Sequence, residues 1–121
     1  MGRTATLRKK PQAEAVAAIP ARTGAVYAVT RSRGPAWDPA LPQEAQPGFE
    51  EHALFLAELE ASGFLLLGGP LDGTPYVMLA VRADSEIEAR RILSPDPWEL
   101  SRHIETTRIS GWKLGQGAGR L

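Results

Sequence analysis

The chain has 121 residues, of which 43% are hydrophobic and 23% are charged, ordinary values for one globular domain. Fourteen basic and fourteen acidic side chains cancel, so the composition gives no general attraction to nucleic acid or to a membrane surface, and neither is expected as a partner. The absence of cysteine excludes disulfides, thiolate catalysis and cysteine-ligated zinc, and it favours a cytoplasmic protein.

Residues 1–23 are predicted to form a disordered or loosely packed N-terminal tail. The basic start and the alanines that follow are faintly similar to a signal peptide. Pro11, Glu14 and Pro20 interrupt the apolar run, so a cleaved signal is the less favoured alternative. No apolar run in the sequence approaches the roughly 20 residues that are needed to cross a bilayer.

A strand and then a long loop are predicted for residues 24–48. The segment GAVYAVTR, residues 24–31, alternates its side chains as a strand does. Four prolines within residues 33–48 exclude a regular helix or a central strand there. Connections of this length are often lids or binding loops, and a tolerated surface insertion is the alternative.

The first helix is predicted over residues 49–63, where Gly63 is placed to end it in a left-handed conformation. His52 lies near the centre of its apolar face, among Phe55, Leu56 and Leu59. A histidine there loses water and needs a hydrogen-bond partner. It is either a neutral core residue bonded to a backbone carbonyl, or a general acid or base whose tautomer is fixed by a carboxylate.

A hairpin is predicted next. The apolar strand FLLLGGP, residues 64–70, is joined by a turn at Asp72-Gly73 to the strand PYVMLAVRA, residues 75–83. Gly68-Gly69-Pro70 either ends the strand tightly or lets the backbone bind an anionic ligand. The first strand is apolar on both sides, so both of its faces are expected to be covered.

The second helix is predicted over residues 85–93, capped by Asp84 or Ser85, with Ile87, Ala89, Arg90 and Leu93 on its buried side. The segment Asp96-Pro97-Trp98-Glu99 then has the pattern of a capping box at the start of a short helix. A last strand is predicted within residues 104–114, and residues 115–121 are predicted to be a flexible end.

Asp96 is the candidate carboxylate for His52. Capping uses one carboxylate oxygen and leaves the other for the imidazole, so the two roles are compatible. Trp98 either packs in the core or lines an aromatic pocket together with Trp37. A metal site would need His52, Asp96 and His103 to converge, and the expected position of His103 at the start of the last strand argues against one.

The order of elements is β-α-β-β-α-β, which predicts an α+β, ferredoxin-like domain with a four-stranded antiparallel sheet. Both helices cover one face of that sheet. The other face needs a cover as well, and with no further element in the chain we expect a second copy of the protein, hence a homodimer.

The ordered set of features resembles the YCII-related family. These features are the inward His52, Gly63-Phe64-Leu65-Leu66 ending in Gly69-Pro70, Glu88-Ala89-Arg90, Asp96-Pro97-Trp98 and a strand ending in Trp112. The resemblance covers about residues 24–114. It implies a dimeric α/β barrel with a pocket around a histidine and an aspartate, which correspond to His52 and Asp96. One branch contains a dehydrochlorinase that acts on a chlorinated hydroxyquinol. The tail and the proline-rich loop depart from the family.

The primary hypothesis is a small lyase or isomerase without a cofactor, in which His52 moves a proton on an aromatic or enolic compound and Asp96 orients the imidazole. Gly69, Pro70 and Trp98 are the predicted ligand-binding residues. A non-catalytic protein that binds a small ligand in the same pocket is the alternative. A cofactor-free oxygenase is a third possibility, which rests on fold analogy alone.

Overall fold

A computed structural model describes residues 24–121, and the prediction for the tail lies outside them. The elements in chain order are β1 Ala25–Arg33, α1 Phe49–Ala61, β2 Leu65–Pro70, β3 Tyr76–Ala83, α2 Glu86–Leu93, α3 Pro97–Leu100 and β4 Ile104–Gly111. Two short 3-10 turns, Gln43–Ala45 and Ala118–Arg120, complete them, the second within the segment predicted to be flexible.

The four strands form one antiparallel sheet in the order β2-β3-β1-β4. The predicted α+β class is confirmed, and the element and strand orders are compatible with a ferredoxin-like fold. β1 lies in the middle of the sheet, so its inward side chains reach the region below the helices. The pairing of β1 with β4 shifts register between Thr30 and Arg31.

The main core lies between the sheet and the helices. It consists of Val29, Phe64, Leu79, Val81, Ala83, Ala89, Leu93 and Ile109. Its members on β1 and β3 alternate along the strands, so they share the inner face of the sheet. Burying a side chain as large as valine or leucine stabilises the fold by about 1.5–3 kcal/mol relative to exposing it.

The helix ends lie where the sequence predicts them, but the buried face of α2 differs from the prediction. Gly63 has a φ of 84°, the predicted left-handed end of α1. Ser85 is the cap of α2 and accepts a hydrogen bond from Glu88 N at 3.0 Å. The predicted buried side of α2 is wrong at Ile87, which is 77% exposed, and at Arg90, which is also exposed. Ile87 and Ala89 are two residues apart, so they do not share a face, and it is Ala89 that packs in the core with residues of the sheet.

A buried amide organises the proline-rich loop between β1 and α1. The Gln46 side chain is 2% exposed and donates hydrogen bonds to Asp38 O at 2.7 Å and to Leu41 O at 3.0 Å. Its oxygen accepts a hydrogen bond from Asp38 N at 3.0 Å. The loop therefore has a fixed shape although, as predicted, it contains no regular helix or strand beyond one 3-10 turn.

The outer face of the sheet has no helix over it within residues 24–121. Leu67 on the edge strand β2 is 57% exposed, so the expectation that both faces of this strand are covered does not hold in the single chain. Ala28, Thr30 and Met78 lie on the same outer face, since they alternate with inward residues, and they are half-buried. Across residues 24–121, no helix has the length and apolar character needed to cross a membrane.

Candidate active site

Three elements converge on one buried cluster below α1. His52 projects from the first turns of α1, which begins after Gly48 in a left-handed conformation with φ 79°. Asp96 is the residue just before α3, and Trp98 is the second residue of that helix. Arg31 comes from the central strand β1. All four residues are at most 5% exposed.

The imidazole of His52 contacts the carboxylate of Asp96. His52 Nδ1 lies 2.8 Å from Asp96 Oδ1 and 3.0 Å from Oδ2. A carboxylate only accepts hydrogen bonds, so Nδ1 carries the proton and donates it. In the neutral ring Nε2 is then unprotonated, which is the tautomer that a general base requires.

Asp96 also caps α3 and binds an arginine. Its Oδ1 accepts a hydrogen bond from Trp98 N at 2.9 Å, and its Oδ2 lies 3.0 Å from Arg31 Nη1. The expected division, with one oxygen for the cap and a free one for His52, is met only in part, because both oxygens lie within hydrogen-bond distance of His52 Nδ1 and Oδ2 also binds Arg31. The capping oxygen Oδ1 is the one nearer to His52.

These contacts keep Asp96 ionised. Complete burial acts to raise its pKa, but the hydrogen bond from His52, the charge of Arg31 and the hydrogen bond from Trp98 N together outweigh it and lower the pKa below the ordinary value of 3.8. A persistent negative charge beside Nδ1 stabilises the imidazolium that would form when Nε2 accepts a proton.

Arg31 was not predicted as a site residue. Its guanidinium also binds Glu99, with Nη2 3.1 Å from Glu99 Oε2, and Nε lies 3.4 Å from Thr106 Oγ1. Thr106 donates a further, short hydrogen bond to Glu99. The predicted capping box is not formed, because Glu99 turns to this buried cation and Asp96 N bonds to Leu93 O instead.

Trp98 supports the imidazole from one side. Its ring stacks on His52 with centroids 4.0 Å apart and an angle of 13° between the planes. Its Nε1 donates a hydrogen bond of 2.7 Å to Pro47 O, and Trp37 packs edge-on against it at 5.4 Å. The proline-rich loop is thus tied to the site at two points, so it forms part of the wall.

A cavity of about 270 Å³ opens beside this cluster. Its floor and walls include His52, Trp98, Arg31, Leu56, Leu65, Leu79 and Ile104, and its more exposed rim includes Arg33, Trp37, Thr74 and Tyr76. His52 lines the cavity and Asp96 lies behind it. Within residues 24–121, Nε2 of His52 has no hydrogen-bond partner, so it is free to act on a molecule in the cavity.

The other predicted ligand-binding residues also lie in the wall. Gly69 and Pro70 line the cavity through β2. A close approach occurs at Gly68, where an added Cβ would lie 2.9 Å from the backbone oxygen of Met78, whereas at Gly69 it would meet nothing within 4 Å. Packing of neighbouring strands therefore explains Gly68.

In the part of the chain that the structure describes, no group of three or more histidine, aspartate or glutamate side chains could hold a metal ion. His103 packs near Trp98 at a centroid distance of 5.9 Å, and its Nδ1 bonds to Ser101 Oγ at 2.7 Å.

Comparison of the chain with family models, with curated proteins and with solved structures finds no match.

Proposed function

We propose that this chain is a small YCII-like enzyme that needs no cofactor and catalyses proton transfer, as a lyase of the dehydrochlorinase type or an isomerase, on a small aromatic or enolic compound. His52 is the general base and acid, and Asp96 orients it. The observation that carries the proposal is that the His52 side chain lines a cavity of about 270 Å³ and donates through Nδ1 to Asp96 at 2.8 Å, while Nε2 has no partner within residues 24–121.

The chemistry follows from the tautomer. Nε2 accepts a proton from a carbon or hydroxyl of the bound compound, and the electron pair left behind enters the conjugated system. In an elimination, this electron pair then expels a leaving group such as chloride. In an isomerisation, the imidazolium returns the proton to another carbon. The charge of Asp96 stabilises the imidazolium in either case. A proton transfer positioned in this way contributes typically about 10²–10⁴-fold in rate.

The proposed assembly is a homodimer in which two sheets pack through their outer faces as a dimeric α/β barrel. Its support is the apolar surface left without a helix, with Leu67 57% exposed. Analytical ultracentrifugation at micromolar concentration should give a dimer, and Leu67→Asp should shift it toward the monomer. A wild-type chain that sediments only as a monomer would contradict the proposed assembly.

The second candidate is a binding protein without turnover. The buried contacts around Asp96 favour it, because the same hydrogen bonds would simply hold the wall of a ligand pocket. Proton transfer distinguishes the two, since a binding protein does not exchange carbon-bound protons of its ligand with solvent.

The test is deuterium exchange followed by NMR. A panel of enolisable cyclic ketones, hydroxyquinols and chlorohydroxyquinols, each with and without a ring carboxylate, is incubated with the protein in D₂O, and both exchange and chloride release are measured. We expect at least one compound to react with the wild type and His52→Gln to slow it by about 10²-fold or more. Asp96→Asn should slow it as well.

The matched control is Leu54→Ala, since Leu54 lies on the same helix and is 62% exposed, away from the cavity. It should react at the wild-type rate. A folded His52→Gln protein with undiminished turnover would overturn the assignment of His52, and ligand binding without exchange by any compound would favour the second candidate.

A further inference from the structure

Among the residues that the structure describes, the cavity is lined by basic side chains and by no acidic ones. Arg31, Arg33 and His52 face it, and no aspartate or glutamate is among its lining residues. The two carboxylates of the cluster, Asp96 and Glu99, lie outside the lining. A molecule in the cavity therefore meets positive charge directly and negative charge only at a distance.

The two arginines differ in whether their guanidinium groups already form ion pairs. Arg31 is 1% exposed and binds both Asp96 and Glu99, so it has little capacity left for a ligand. Arg33 is exposed at the rim, and its guanidinium makes no ion pair within residues 24–121. Arg33 is the available cation of the cavity.

Trp37 holds that cation in place. The Arg33 guanidinium carbon lies 4.7 Å from the centre of the Trp37 ring. An aromatic ring below a guanidinium orients it without using its N–H groups, which remain free to donate. The planar pair of donors matches a carboxylate, which accepts two parallel hydrogen bonds from it.

The size and the walls of the cavity limit the rest of the ligand. A dry cavity of about 150 Å³ admits benzene, so about 270 Å³ admits one substituted ring. Trp98, Leu56 and Leu79 offer flat and apolar surface to such a ring.

We infer that the ligand of this cavity is a single-ring compound that carries a carboxylate, and that Arg33 is the residue that binds the carboxylate. The inference rests on the proposed function and deepens it. The carboxylate anchors the compound at the rim, so the ring extends inward toward Nε2 of His52. Arg33 thereby determines specificity and takes no part in the proton transfer.

The test compares benzoate and 4-hydroxybenzoate with their neutral amides, benzamide and 4-hydroxybenzamide, by NMR-detected titration at low ionic strength. The wild type should bind each carboxylate up to about fivefold more tightly than its amide, since an ion pair with an exposed arginine contributes up to about 1 kcal/mol. Arg33→Gln should abolish this preference. Added salt should weaken carboxylate binding, because Arg33 is exposed.

Arg108→Gln is the matched control, because Arg108 is exposed on β4 and does not line the cavity. It should retain the preference, and so should His52→Gln.

Equal affinity of the wild type for acid and amide, or a preference that survives in Arg33→Gln, would overturn the carboxylate inference and leave the role of His52 standing. An acid preference that Arg33→Gln abolishes, together with undiminished exchange in His52→Gln, would support the carboxylate inference and overturn the role of His52. Failure of all four probes to bind would overturn the carboxylate inference, and the exchange experiment would still decide the proposed function.

Discussion

Arg31 Nη1 lies 3.0 Å from Asp96 Oδ2, and the two side chains are 1% and 0% exposed. A buried cation from the central strand thus holds the carboxylate that contacts His52. Removing either charge leaves the other buried without its nearest opposite charge, and the remaining contacts, Glu99 for Arg31 and the hydrogen bonds from His52 and Trp98 N for Asp96, compensate it only in part. This ion pair therefore contributes both to the stability of the fold and to the geometry of the candidate site.

Arg31→Met should destabilise the protein by about 3–5 kcal/mol, because Asp96 would remain buried without its cation. Urea denaturation followed by circular dichroism measures the change. The control is Arg90→Met, since the Arg90–Glu86 pair is about half exposed at a separation of 3.5 Å and should contribute less than about 1 kcal/mol. Equal losses in the two variants would contradict the special role of Arg31.

The stability of the wild type should fall in acid through the protonation of Asp96. Its pKa is lower in the folded protein than the ordinary 3.8, so the stabilisation is complete above that value and is lost as the pH falls through the folded pKa. One such proton contributes a slope of up to about 1.4 kcal/mol per pH unit. Urea denaturation at a series of pH values below 5 should show a shallower slope for Asp96→Asn, and identical slopes would count against the prediction.

Gly34→Ala should destabilise the chain, because an added Cβ would lie 2.3 Å from the carbonyl oxygen of Arg102. Backbone must move to relieve this contact, at a cost of about 1–3 kcal/mol. Gly111→Ala is the control, since its Cβ would meet nothing within 4 Å. Thermal unfolding of the two variants should differ clearly, and a stable Gly34→Ala protein would show that this approach is not needed.

Gln46→Leu should loosen the proline-rich loop. Asp38 and Leu41 would lose their bonds to the buried amide, at a cost of about 1–3 kcal/mol for the polar groups left unpaired. Limited proteolysis should cut within residues 38–46 faster than in the wild type. Glu44→Gln, an exposed change in the same loop, should leave the cleavage rate unaltered, and equal rates in all three proteins would contradict the role of Gln46.

Local patterns predicted much of this molecule. Gly63 and Ser85 mark helix ends because left-handed glycine and side-chain capping are local properties of a few residues. The order of elements follows from apolar periodicity, and it limits the sheet to few arrangements. His52 was identified because a histidine stands out within an apolar helix face.

The buried charges were harder to predict because they depend on distant partners. Arg31 follows Tyr27 and Val29 at alternate positions of β1, so its inward direction was available as a signal, but its partner Glu99 lies 68 positions away. Glu99 has the spacing of a capping box, and only the position of the arginine shows why it points elsewhere. No sequence pattern predicts the role of Gln46, since its three hydrogen bonds depend on the path of the loop.

The separations along the chain have a consequence for folding. His52 and Asp96 are 44 positions apart, and Arg31 and Glu99 are 68 apart, so the cluster joins the first strand to the last helix before β4. Such non-local contacts form after the local ones, because closing long segments of chain costs entropy. The cavity wall is therefore complete only when the whole domain has assembled. A small molecule that binds there stabilises the finished fold alone, so the shift that it causes in the unfolding midpoint reports its affinity without any assay of turnover.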